Sequence, residues 1–253
     1  METKTEHVSE QLEFAEFRRT RRETELQLAL RRITVNASKR EITREGLKRA
    51  CESAVRLGTD GVLVSPINAS SVRRMVAERG KRLCCIVGGT GETLVSVKRA
   101  EARRVSREGA REIWFVPSAS ILRSHGASGL KREIKRVRRC VKKRTFFLLL
   151  DDPFLSSEEI LLGVRAAKEA GADGVCVRGE VDVALAVLTA SEGKLFVCCT
   201  GVENAEQLRL LLKIGVGRVC CVNAAEMAEE MRRAMEESLF PLRSDGEQEA
   251  EEG

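Results

Sequence analysis

The chain has 253 residues, 43% of them hydrophobic, and carries 44 Lys and Arg against 38 Asp and Glu for a formal net charge of +6. That length suits one large core and is common for a single α/β barrel. No run approaches the roughly 18 apolar residues of a membrane span, and the charged opening METKTEHVSEQLEF lacks the apolar core of a signal peptide, so a soluble cytoplasmic protein is expected. Eight Phe, one Trp and no Tyr argue against aromatic stacking of single-stranded nucleic acid.

An N-terminal extension, residues 1–30, holds a first helix expected at about 9–31. From there short apolar runs alternate with helix-period segments across 31–240. The runs are RITV 32–35, GVLVS 61–65, LCCIV 83–87, EIWFV 112–116, TFFLLL 145–150, GVCV 174–177, LFVCC 195–199 and RVCCV 218–222. Between them lie amphipathic stretches such as REGLKRACESAVRLG 44–58 and SSEEILLGVRAAKEAG 156–171. The latter opens on a Ser N-cap with first-turn acids and closes on Gly171. Continuously apolar strands separated by helices imply a parallel sheet covered on both faces. Eight such units predict an α/β protein with a single (β/α)8 TIM barrel; an open doubly wound sheet is the alternative. The acidic tail, 241–253, is too polar and charged to pack and is expected to be disordered.

Nine cysteines, an odd number lying mostly inside apolar strands, read as buried free thiols of a reducing compartment. The paired cysteines lack Cys-x-x-Cys spacing, and His7 and His125 are the only histidines, so no metal and no cofactor is expected. Cys176, in AGADGVCVRGE, stands near a strand's end. It reads as a small apolar filler; the sharper alternatives are a nucleophile helped by Arg178, or a metal ligand together with Cys199 and Cys220. Segment 131–144, KREIKRVRRCVKKR, has nine basic residues on a helix-period stripe of Ile134, Val137 and Val141. Its outward charges, Arg136, Arg139 and Lys143 among them, are read as a solvated face or as a site for an anionic macromolecule or protein. GGTGE 88–92 lacks the Lys-Ser/Thr of a P-loop and is read as a turn with some capacity to bind phosphate.

Several of these segments, in order, resemble the deoxyribose-phosphate aldolase family. VSVKRAEARRVSREGAREIWFVPSASIL 95–122 is similar to the family's Lys-x-x-Glu-Ala helix and fourth strand. LLLDDPFLSSEEI resembles its fifth strand, AAKEAGADGVCV the entry to its sixth, and CTGVENAEQLRLLLKIGVGRV its Gly-Gly-Ile-x-Thr strand end through Gly-Ala-x-Arg-Ile. The resemblance implies a TIM barrel that cleaves 2-deoxyribose 5-phosphate to acetaldehyde and glyceraldehyde 3-phosphate through a lysine Schiff base, with a second lysine lowering the first one's pKa. Residue by residue the carry-over fails. Trp114 stands at the family's strand-four Asp, Cys176 at the Schiff-base lysine and Val197 at the activating lysine. Asp151 alone keeps an acid. The phosphate positions carry Thr200–Gly201 and, after strand eight's Arg, Cys220. The twelve lysines fall in helices, termini or loops, with Lys39 nearest the barrel mouth. The expectation is therefore an aldolase-like protein inactive in Schiff-base chemistry that acts as a binding or scaffold protein. The alternative is an active lyase with a relocated catalytic residue. A phosphorylated small molecule and a homo-oligomeric partner are further expectations. Trp114 is read as a plug in a disused cavity, or else as a stacking wall for a new ligand.

Overall fold

The computed structural model describes residues 20–237. Eight parallel strands, each paired with the next, close into a barrel: β1 (Ile33–Ala37), β2 (Gly61–Val64), β3 (Arg82–Val87), β4 (Glu112–Phe115), β5 (Thr145–Leu150), β6 (Gly174–Arg178), β7 (Phe196–Thr200) and β8 (Arg218–Cys221). Closure is direct, with Ile33 of β1 in register with Val219 of β8. The alternative of an open sheet is thereby set aside, and each apolar run becomes a strand to within a residue or two at either end.

Helices form the outer ring: α1 over 20–30, α2 (Arg44–Leu57), α3 (Ala69–Val76), α4 (Val95–Arg107), α5 (Ala119–Arg138), α6 (Ser157–Ala170), α7 (Val181–Ser191), α8 (Ala205–Lys213) and α9 (Ala224–Glu237). Local chemistry sets their ends. Ser156 and Glu159 form a reciprocal capping box at the start of α6, and Gly171 closes it in the left-handed conformation at φ 75°. The described part of α1 buries Leu26 and Leu30, and Arg22 reaches the Met235 carbonyl of α9. The rest of the expected 9–31 helix, His7 and the acidic tail lie outside the described residues.

Strand alternation sorts the side chains into two cores. The larger lies between sheet and helices and takes Val35, Val64, Leu83, Phe115, Leu148 and Val219 among many others. The smaller fills the barrel axis with Leu63, Cys84, Trp114, Phe147, Cys176, Cys198 and Cys220. Apart from β1, whose inner face carries Thr34 and Asn36, and the charged strand starts, both faces of the strands are apolar, which is why the runs read as continuous rather than alternating.

Segment 131–144 departs from expectation. Rather than one helix to its end, α5 stops at Arg138 and a turn leads into β5. The turn is held by Arg138, whose guanidinium reaches forward to the Val141 and Arg144 carbonyls and pairs with Asp173. Backbone N–H groups of the turn take the last helical carbonyls, Val141 N–H that of Arg138 among them. Farther up, Gly126 breaks α5 with φ 58° and ψ −161°, a conformation open essentially to glycine.

Candidate functional site

In a (β/α)8 barrel the reactive groups stand at the C-terminal ends of the strands, so the axis is best followed from the bottom upward. The bottom is sealed by charge. Arg218, at the start of β8, places one nitrogen 2.5 Å from Asp60 Oδ2 and another 2.5 Å from Glu112 Oε1. Arg82 completes the cluster on Glu112 at 3.0 Å and Asp60 at 3.3 Å. The Arg218 guanidinium also lies over the rings of Trp114, Phe147 and Phe196, at 6.0, 5.2 and 5.6 Å from their centres.

One layer higher the axis is solid. Trp114 points inward, is fully buried and donates from Nε1 to Glu112 Oε1 at 2.5 Å. Cys176 sits beside it, also fully buried, in register with Cys198 of β7. Burial is the main reason the thiols of Cys84, Cys176 and Cys220 are pushed well above the usual thiol range; a bond to Cys198 adds to the effect at Cys176. Arg218 offsets this only partly. The thiols pack against one another and the Trp114 and Phe147 rings, and no trio of His, Cys, Asp or Glu suited to a metal occurs among the described residues.

In β7, Val197 belongs to the outer core, packed toward the helices, and the side chain turned to the axis beside Cys176, its in-register neighbour, is Cys198. Period-two alternation decides it, because a shift of one residue moves a side chain to the opposite face of the sheet. Cys220 is likewise fully buried in the axial cluster. Thr200 is almost fully buried, and its hydroxyl is shared between the Val177 carbonyl, at 3.2 Å, and the Asp151 carboxyl. Gly201 is exposed at the rim with φ 66°. Lys39 is exposed on the loop after β1, and His125 is exposed on α5.

Above the plug a cavity of about 540 Å³ opens off the axis, over the loops that follow β3, β4 and β5. Ile86, Val116, Leu149 and Phe154 give it apolar walls; Thr90, Ser118, Asp151, Asp152 and Arg40 give it polar ones. Asp151, the retained acid, has its carboxyl raised above the ordinary 3.8. Burial is the main cause, opposed by a hydrogen bond from Thr200 and the charge of Arg178. The GGTGE loop lines the same cavity through Gly89 and Thr90 and is tied down from behind. Gly88 N–H donates to Glu101 at 2.7 Å, and Glu92 accepts from the Ser118 hydroxyl at 2.9 Å.

One buried lysine escaped the sequence reading. Lys98 of α4 is fully buried, 2.6 Å from Glu133 of α5, and also donates to the Gly91 and Val116 carbonyls. The signal was available in the spacing. Lys98 precedes Ala102 and Val105 by four and seven residues, and Glu133 sits among Leu130, Ile134 and Val137, so each lies on its helix's apolar stripe. A lysine and a glutamate on two facing apolar stripes are a candidate pair. Lys98 lies outside the barrel wall, with its ammonium held by one carboxylate and two carbonyls.

A closed eight-stranded parallel barrel with an off-axis mouth at its C-terminal face defines a (β/α)8 TIM barrel. The chain matches no protein-family model. Its relatives are deoxyribose-phosphate aldolases. It is 26% identical to the one from Caldanaerobacter subterraneus subsp. tengcongensis over 206 residues, covering 76% of this chain and 88% of the relative. It is 28% identical to the one from Aquifex aeolicus over 188 residues, covering 69% and 83%. In structure it superposes on the tetrameric deoxyribose phosphate aldolase of Aeropyrum pernix with a TM-score of 0.76 at 19% identity, over 83% of this chain and 93% of that one. The aldolase QR15 gives the same TM-score at 22% identity, over 83% and 97%. In sequence the chain is thus similar to deoxyribose-phosphate aldolases, and in fold to solved aldolase barrels. No described helix is long and apolar enough to cross a membrane.

Proposed function

We propose that this family member does not perform Schiff-base aldol chemistry and acts instead as a binding protein whose small ligand enters the mouth cavity. The observation that carries this reading is the filled axis. Where an imine would form, Trp114, Cys176, Cys198 and Cys220 are fully buried and in contact, and none offers an amine. Lys98 is held outside the wall by Glu133, and Lys39 is an exposed loop lysine. The cavity keeps features of a ligand site: apolar walls, hydroxyls and a carboxyl with a raised pKa. A phosphorylated ligand would use Arg40, the cation of that lining, rather than the Cys220 position. The tetrameric Aeropyrum pernix relative supports a homo-oligomer.

The test is borohydride trapping with 2-deoxyribose 5-phosphate, read by intact mass beside an assay for aldehyde release. The native chain is expected to show no adduct and no turnover. Cys176→Lys alone is expected to remain without turnover, because Trp114 still occupies the sugar's space and Cys198 supplies no second cation. Trp114→Asp with Cys176→Lys and Cys198→Lys restores the missing groups and is the variant expected to trap an adduct. An adduct on a native lysine accompanied by turnover would overturn the reading in favour of a lyase with a relocated amine.

A further inference from the structure

The family site leaves one strong feature of the molecule unused. Residues 95–144 hold sixteen Lys and Arg against four Asp and Glu, whereas the remainder of the chain is net acidic. Each of the four acids is already committed. Glu112 binds Arg218 and Arg82, Glu133 binds Lys98, Glu101 accepts from Gly88 N–H, and Glu108 binds Arg104. Arg99, Arg103, Arg132, Arg136, Arg139 and Lys143 have no carboxylate within salt-bridge distance among the described residues, and all but the half-buried Arg99 are exposed.

These cations are not scattered. Arg99 of α4, with Arg136 and Arg139 from the end of α5, lines a surface concavity of about 400 Å³ together with Val95 and Ser96. Arg99 is steadied by a bond from Nε to Cys140 Sγ at 3.4 Å, and Cys140 in turn donates to the Arg136 carbonyl at 3.5 Å. Arg103 extends the ridge one turn along α4, and Arg132 does the same along α5. Two basic ridges thus flank an arginine-lined groove. Like charges at this density repel, and nothing in the fold needs them there.

We propose that the α4–α5 face binds the phosphodiester backbone of double-stranded nucleic acid, without reading its sequence. Three features favour this partner. Arginine predominates, and its planar fork matches phosphate oxygens. The charges follow two ridges, as a strand of regularly spaced phosphates requires, rather than a single point. The face carries no Trp or Tyr on which unpaired bases could stack, which favours a duplex over a single strand.

The experiment uses fluorescence anisotropy of the full chain with labelled duplexes of about 20 base pairs, both RNA and DNA, over a series of salt concentrations. Binding in the micromolar range at low salt is expected, with affinity falling linearly on a log–log plot. Arg99→Gln/Arg136→Gln/Arg139→Gln, checked by melting temperature for an intact fold, is expected to lose at least about tenfold in affinity and to lower the salt slope by roughly 2–3, at about 0.9 per phosphate contact. No binding of either duplex at low salt, or an unchanged slope in the triple variant, overturns the proposal. So does equal or tighter binding of anionic phosphatidylserine vesicles or polyglutamate, which would assign the face to a membrane or an acidic protein.

Discussion

Replacing Trp114 with alanine asks whether the barrel axis is a packed plug or the wall of an open site. The indole is fully buried, lies 6.2 Å from the Phe147 ring and bonds to Glu112. Burying about 200 Å² of aromatic surface at about 25 cal/mol per Å² is worth roughly 5 kcal/mol. Large aromatic truncations in cores cost about 3–5 kcal/mol. Here the upper part of that range applies, because the surrounding strands form a closed ring that cannot collapse into the void. Glu112 keeps Arg218 and Arg82 as partners, so the lost N–H donor adds little beyond about 1 kcal/mol. For a chain of this size, each kcal/mol moves the melting temperature by about 2–4 °C, so a fall on the order of 10–15 °C is expected. Trp114→Phe keeps most of the volume and should lose far less. Urea midpoints at unchanged m-value check that the loss is one of stability. Indole added to the alanine variant should recover part of the loss by filling the cavity. A Trp114→Ala cost below about 1 kcal/mol would refute the plug and return Trp114 to the role of a ligand wall.

Two further outcomes follow from the site. Breaking the Lys98–Glu133 pair from one side, by Lys98→Met or Glu133→Gln, should cost about 3–5 kcal/mol in urea unfolding, while the double change to Met and Leu should cost clearly less; equal losses would show that the pair is not buried as a unit. The Asp151 carboxyl, followed by carbon NMR, should titrate above 3.8, and Thr200→Val should move it higher still by removing the bond that favours the ionised form. The sign for stability follows. The folded state holds the extra proton, so Asp151's contribution is present below 3.8 and is lost as pH rises through the raised value, and Asp151→Asn should remove that decline.

Barrel and helices were legible because both faces of every strand are covered, which leaves uninterrupted apolar runs such as TFFLLL between segments of helical period. Trp114 and Cys176 were placed by their match to the resembling segments, and the structure turns both to the axis. A continuously apolar strand such as FVCCT gives no alternation from which to tell inside from outside, and in β7 Cys198 rather than Val197 turns inward. Lys98 was taken for an ordinary helix lysine because its partner lies on another helix, thirty-five residues away. The end of α5 was missed because the apolar stripe runs on through Val141, while the turn there is held by the Arg138 side chain, a contact that helix periodicity does not encode. The mouth cavity depends on three loops converging and has no local signature.

The ionic seal at the barrel's base has a consequence for how the chain comes together. Arg218 meets Asp60 across 158 residues of sequence and Glu112 across 106. Until β8 docks, the first half of the barrel has only Arg82 to neutralise two carboxylates turned toward a dry interior. Removing water from them at that stage is costly, so the interior stays wet and open while the chain is incomplete. Arrival of the penultimate element therefore dries the centre, closes the ring and supplies the missing cation in one step. Assembly is then late, slow and all-or-none, as expected when the decisive contacts are the most distant in sequence. A nascent chain still lacking its last forty residues would remain dependent on chaperones rather than wait as a stable half-barrel.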